Sequence, residues 1–166
     1  MIWDTIVNAV CRALCVVFWW RFRVIPRARQ PAVPLLRQLL LWKSGTLEVY
    51  LQHFDNPEEP FWFHCHEWPA MRSFVLSGEF TEERAWKGDV THKRFTTYTM
   101  NEDVWHRTRA WGPRCWTLFV CRGGRTVPRG YREMHADSGG AYLGHFIPWR
   151  EHIVKQVPSL TGIETP

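Results

Sequence analysis

Polar positions are sparse at the start of the chain: over residues 6–20 only Asn8 and Arg12 break an apolar run. Residues 1–20 read as a helix, and Pro26, Pro31 and Pro34 stop its continuation in a turn-rich connector. Residues 35–42 read equally as a short helix or a buried strand, because an unbroken apolar run has no period to choose between them. From Gly45 the texture changes to short runs rich in β-branched and aromatic residues, separated by turn formers. Strands are expected over 46–54, 61–66, 72–77, 79–86, 94–100, 104–108 and 115–121, with turns at 55–60, Gly78, 87–89, 101–103 and 112–113. Strands of this length and spacing make a sandwich or a barrel. The expected chain is therefore all-β, preceded by one or two N-terminal helices. Residues 1–44 form the helical segment and proline-rich connector, 45–152 the barrel and 153–166 a tail.

With 166 residues the chain is most simply one domain. A domain of this size buries roughly two-thirds of its unfolded surface. Eleven tryptophans imply a heavily aromatic interior or pocket wall. The net charge of +5 is carried by scattered arginines, such as Arg21, Arg23, Arg27, Arg29, Arg122 and Arg125. No single element concentrates them, which argues against a nucleic-acid face. Five cysteines, an odd number with no Cys-x-x-Cys pair, fit a reducing cytoplasmic compartment better than a disulfide framework. The apolar N-terminal run is interrupted and short for a membrane span, and Asp4 does not suit a signal peptide. It reads first as a helix capping the barrel. Peripheral membrane contact through residues 1–24, with Phe18, Trp19 and Trp20 beside arginines, is the second reading.

The candidate chemistry lies in Phe61-Trp62-Phe63-His64-Cys65-His66-Glu67-Trp68-Pro69. In a strand, side chains two apart share a face, so His64 and His66 project together and Cys65 points the other way. A third imidazole, His106, could close a cap on one divalent ion. Neutral imidazole suits Fe, Zn or Ni, and three facial ligands leave positions open for water or substrate. His53, His92, His135, His145 and His152 are read as ordinary core or surface residues. Met71, Arg72 and Glu82 are candidates to line the pocket, Glu82 as an oxygen donor or hydrogen-bond acceptor and Arg72 as a partner for a substrate carboxylate. Tyr98 and Tyr131 have no assigned place.

His64-x-His66 followed by Gly78, with His106 on a later strand, resembles the two motifs of the cupin superfamily. The likeness is strongest to small cupin-like proteins of unassigned function in bacteria and phages. It rests on His64-Cys65-His66-Glu67-Trp68, the run from Ser73 through Gly78 to Glu82, Trp105-His106-Arg107, Cys115-Trp116-Thr117-Leu118 and Pro148-Trp149-Arg150-Glu151. The resemblance implies a double-stranded β-helix barrel (a jelly roll), a small-molecule ligand and a homodimer. It also marks departures. Met71 stands where the first motif places a glutamate, and Asn101, Asp103 and Ala110 replace the proline, glycine and asparagine of the second. The metal set is then His64, His66 and His106 without a carboxylate, as in thiol dioxygenases among other cupins. The expected function is a metal-binding protein, with a mononuclear iron oxygenase acting on a small molecule as the first activity and Fe favoured over Zn, Ni or Mn. The alternative is a non-catalytic module that binds a small molecule or sugar without metal.

Overall fold

The computed structural model describes residues 2–26, 34–55, 62–111, 114–126, 130–137 and 140–148. A helix, α1 (Ile2–Val17), and a single 3-10 turn (Trp19–Arg21) precede the strands. The strands are β1 (Phe22–Pro26), β2 (Pro34–Ser44), β3 (Leu47–Phe54), β4 (Trp62–Cys65), β5 (Ala70–Ser77), β6 (Glu79–Arg84) and β7 (Gly88–Lys93). There follow β8 (Thr97–Met100), β9 (His106–Trp111), β10 (Trp116–Arg122), β11 (Gly130–Asp137), β12 (Gly140–Leu143) and β13 (Ile147–Pro148). They form two antiparallel sheets, ordered β1-β2-β3-β10-β5-β8 and β12-β11-β4-β9-β6-β7, with β13 beside β11. This is the all-β, two-sheet barrel architecture expected, with one N-terminal helix.

The run at 35–42 resolves as strand, within β2, and β1 and β2 carry the first sheet N-terminal of residue 45. Pro26 and Pro34 are register partners where β1 stops and β2 starts, beyond a register shift at Ile25/Pro26, a strand-end position that tolerates proline. The turn expected at 87–89 lies two residues earlier, at 85–87, and β7 begins at Gly88; its charged residues hid a strand that β6 pairs along its full length. The Trp149 segment and the 153–166 tail lie outside the described residues.

Strand alternation sorts the first sheet into two unlike faces. Leu39 of β2, Leu51 of β3 and Trp116 of β10 point outward and pack against Val7 and Cys11 of α1. Gln38, Gln52 and Tyr50, one residue away along the same strands, point into the barrel. Polar side chains of the helix fix it in place. Asp4 accepts from the Gly78 N–H at 3.1 Å and pairs with Arg94 at 2.9 Å. Asn8 accepts from Trp116 Nε1 at 3.1 Å, and Thr5 from Arg114 at 2.7 Å. Gly78 has φ +69°, and a Cβ there would meet the Cys115 Cα at 2.9 Å, so glycine alone fits that turn.

Candidate metal centre

The second sheet brings the imidazoles together by register. His64 on β4 is the direct cross-strand partner of His106, the first residue of β9. Such partners share a face and lie within side-chain reach. His66 follows the end of β4, two residues along and on that same face. One ring nitrogen from each residue lies within 4.8 Å of the others, and His66 Nε2 is 3.2 Å from His106 Nε2. His64 and His106 are buried and His66 is half-buried.

The tautomer of His106 follows from its second nitrogen. Nδ1 lies 3.0 Å from the Val104 carbonyl, which can only accept, so Nδ1 carries the proton and the Nε2 lone pair faces His66. A backbone carbonyl holding the distal N–H is the usual way a protein orients an imidazole ligand. Two nitrogens bound to one ion at about 2.0–2.1 Å, with angles near 90–109°, stand roughly 2.9–3.4 Å apart. The 3.2 Å separation of His66 and His106 falls in that interval, so this pair fits a shared transition-metal ion, and the His64 nitrogen lies within 4.8 Å of both.

The imidazoles line a cavity of about 50 Å³ inside the barrel. That volume takes a few waters, or the reacting end of a substrate. Phe54, Trp68, Phe80 and Phe119 wall it with rings, and Gln38, Gln52, Glu82, Tyr98 and Thr108 add polar atoms. Of the three candidate lining residues, Glu82 reaches this cavity. Met71 is buried in a core cluster with Tyr50, Trp68 and Met100, and Arg72, exposed by strand parity, borders a separate outer groove.

Glu82 is 1% exposed and doubly held: Arg84 Nε donates to one oxygen at 2.6 Å and His92 Nε2 to the other at 3.2 Å. Burial raises its pKa, but the His92 hydrogen bond and the Arg84 guanidinium outweigh it and hold the carboxyl at about 2. An anion therefore lies in the wall beside the histidines without joining their ligand set. His92 itself stacks on Tyr98, with ring centroids 4.0 Å apart. His92, expected among the ordinary core or surface residues, is a buried one that holds Glu82. Its signal was there: it sits directly opposite Phe80, so the strand parity that turns Phe80 inward turns His92 inward too.

None of the cysteines is among the residues lining this cavity. Cys11, Cys15, Cys65, Cys115 and Cys121 form no disulfide. Burial pushes the thiol of Cys115 up to about 12 and that of Cys11 to about 11, so neither is a thiolate at neutral pH. Among the described residues, no helix is long and apolar enough to cross a membrane.

No family model matches the sequence, and no curated protein matches it. Solved structures do. A sugar phosphate isomerase of the cupin superfamily from Silicibacter pomeroyi is 15% identical, over 75% of this chain and 85% of that one, with a TM-score of 0.48. The iron(II) form of HppE is 19% identical over 61% of this chain and 55% of that one, also at 0.48. A cupin-2 domain protein from Shewanella frigidimarina is 12% identical over 52% and 79%, at 0.42. In strand arrangement the chain is similar to cupin proteins.

Proposed function

We propose that this protein is a mononuclear metal enzyme whose ion is held by His64, His66 and His106, with iron as the metal and oxygenation of a small molecule as the reaction. The observation that carries the reading is the convergence of three ring nitrogens within 4.8 Å, one imidazole already oriented by the Val104 carbonyl. An ion held there supplies Lewis-acid polarisation of a bound oxygen and, where it is iron, redox exchange with dioxygen. The chain's own residues do the rest. Glu82 stays anionic and offsets positive charge in a water-poor wall. Gln38, Gln52 and Thr108 present neutral donors and acceptors to a substrate, while the aromatic rings limit water. The small volume admits only the substrate's reacting end unless a wall side chain turns aside.

The test is metal analysis by mass spectrometry on protein purified without added metal, followed by oxygen-uptake screening of the iron-loaded protein with small thiols and related compounds. About one ion per chain is expected, and His106→Ala should bind at least about a hundredfold more weakly while keeping the barrel's circular dichroism. Failure of the native protein to take up Fe, Zn, Ni or Mn sinks the reading.

The neutral amides favour the alternative, a metal-free binding module. Gln38 and Gln52 are cross-strand partners in the cavity wall, and Thr117 Oγ1 donates to Gln52 Oε1 at 3.3 Å. Such a pair suits a neutral hydroxylated ligand. Melting-temperature gains with a sugar or polyol that survive a chelator would support it.

A further inference from the structure

The helix α1 is inverted relative to an ordinary surface helix. Its barrel-facing side carries Val7 and Cys11, and its polar side chains Asp4, Thr5 and Asn8 are all bonded to the barrel. The side opposite, facing outward, is apolar. Ile2, Ile6, Val10, Ala13 and Val17 recur at helical spacing along it, every one exposed, with Ile2 at 78%. Trp19 and Trp20 continue the stripe at 71% and 63% exposure. A soluble protein rarely leaves so many large apolar side chains together in water without a partner for them.

Charge identifies the partner. Asp4 is the one acid on the helix, and it is bonded to Gly78 and Arg94. Arg12 and Arg114 flank the helix and bond neutral acceptors, Asn8 and Thr5. Arg21 lies in the turn beside the two tryptophans. Beside the C-terminal half of the helix runs a groove of about 650 Å³, walled by Trp19, Phe22 and Trp116, with Arg12 on its lining and Arg37 there paired to Asp55 at 3.0 Å. Apolar surface, indole rings and a basic edge are the three elements of an interfacial helix on an anionic bilayer. At 1.5 Å per residue the helix is about 24 Å long, which is short of a hydrocarbon core but ample for lying flat. A second copy of the chain fits less well, because a two-fold pairing of this stripe would crowd its own arginines together.

We propose that the outer face of α1 docks the protein on an anionic phospholipid surface, with Ile2, Ile6, Val10 and Val17 in the acyl boundary and Trp19 and Trp20 at headgroup level. The metal centre would then work beside a membrane.

The experiment is co-sedimentation of the full chain with vesicles of phosphatidylcholine alone and of phosphatidylcholine with phosphatidylglycerol, at low and high salt. Binding is expected to the anionic vesicles and to weaken with salt. Ile6→Glu should weaken it roughly tenfold or more, and Arg12→Gln about fivefold. Both positions are exposed, and unchanged melting of each variant shows that the barrel is intact. Brominated lipid should quench the native tryptophan fluorescence, and less so in Trp19→Ala/Trp20→Ala. Absence of vesicle binding, or binding that Ile6→Glu leaves unchanged, overturns the proposal. So does a dimer by light scattering that Ile6→Glu dissolves in protein that ignores vesicles.

Discussion

The two faces of the first sheet use the same strands for opposite ends. Outward, Leu39, Leu51 and Trp116 bury themselves under Val7 and Cys11 of α1 in an apolar layer. Inward, one residue along, Gln38 and Gln52 join the imidazoles and Glu82 around a small polar cavity. Much of the packing that stabilises this protein thus lies outside the barrel, between sheet and helix. The barrel's middle is left to chemistry, and aromatic residues of the buried clusters there, Trp68, Phe80 and Phe119, wall the cavity. Buried polar groups are costly unless bonded, so such an interior persists only beside an apolar layer that supplies stability elsewhere.

That division can be broken by substitution. The largest loss should come from the outer layer: Leu51→Ala is expected to cost about 2–5 kcal/mol in urea unfolding, with metal affinity unchanged. A fall in metal affinity as large as the fall in stability would show that the two faces are not independent.

Inside, Glu82→Gln should cost up to about 3 kcal/mol at neutral pH in the metal-free protein. The sign follows from a folded carboxyl at about 2 against an ordinary 4.5. The charged form is the one favoured by folding, so its contribution is complete above pH 4.5 and disappears as pH falls towards 2. Unfolding free energy measured across that interval should therefore drop in the native protein and stay flatter in the variant.

At the joint between the layers, Gly78→Ala places a Cβ against Cys115 in a left-handed turn and should cost about 1–3 kcal/mol, read as a lower melting temperature. The smallest effect should be Asn8→Ala, about 1 kcal/mol, because it removes the acceptor of one indole N–H under the helix.

The shared face of His64 and His66 needs only the strand period, so two residues of sequence spacing were enough to place them. The first turn glycine was equally legible, since Gly78 closes a strand where a left-handed φ is required. His106 came from a motif resemblance, and its direct pairing with His64 is a fact of register between strands forty residues apart. The Glu82 environment was beyond local reading. It depends on β7, whose charged residues masked its extended form, and on the β6–β7 pairing that turns His92 inward. Arg72 and Met71 show the converse. Each is near the motif in sequence, yet parity sends Arg72 outside, and Met71 is buried in the cluster that holds Trp68, Met100 and Phe119, which line the cavity, without lining it itself.

Local sequence determined the strand period, the turns and the pair of imidazoles, because each of these depends on bonds and sterics within a few residues. Tertiary structure decided which third imidazole meets them, which carboxylate stands by and which side of α1 faces water. Those are contacts between distant segments, fixed only once the sheets choose their register.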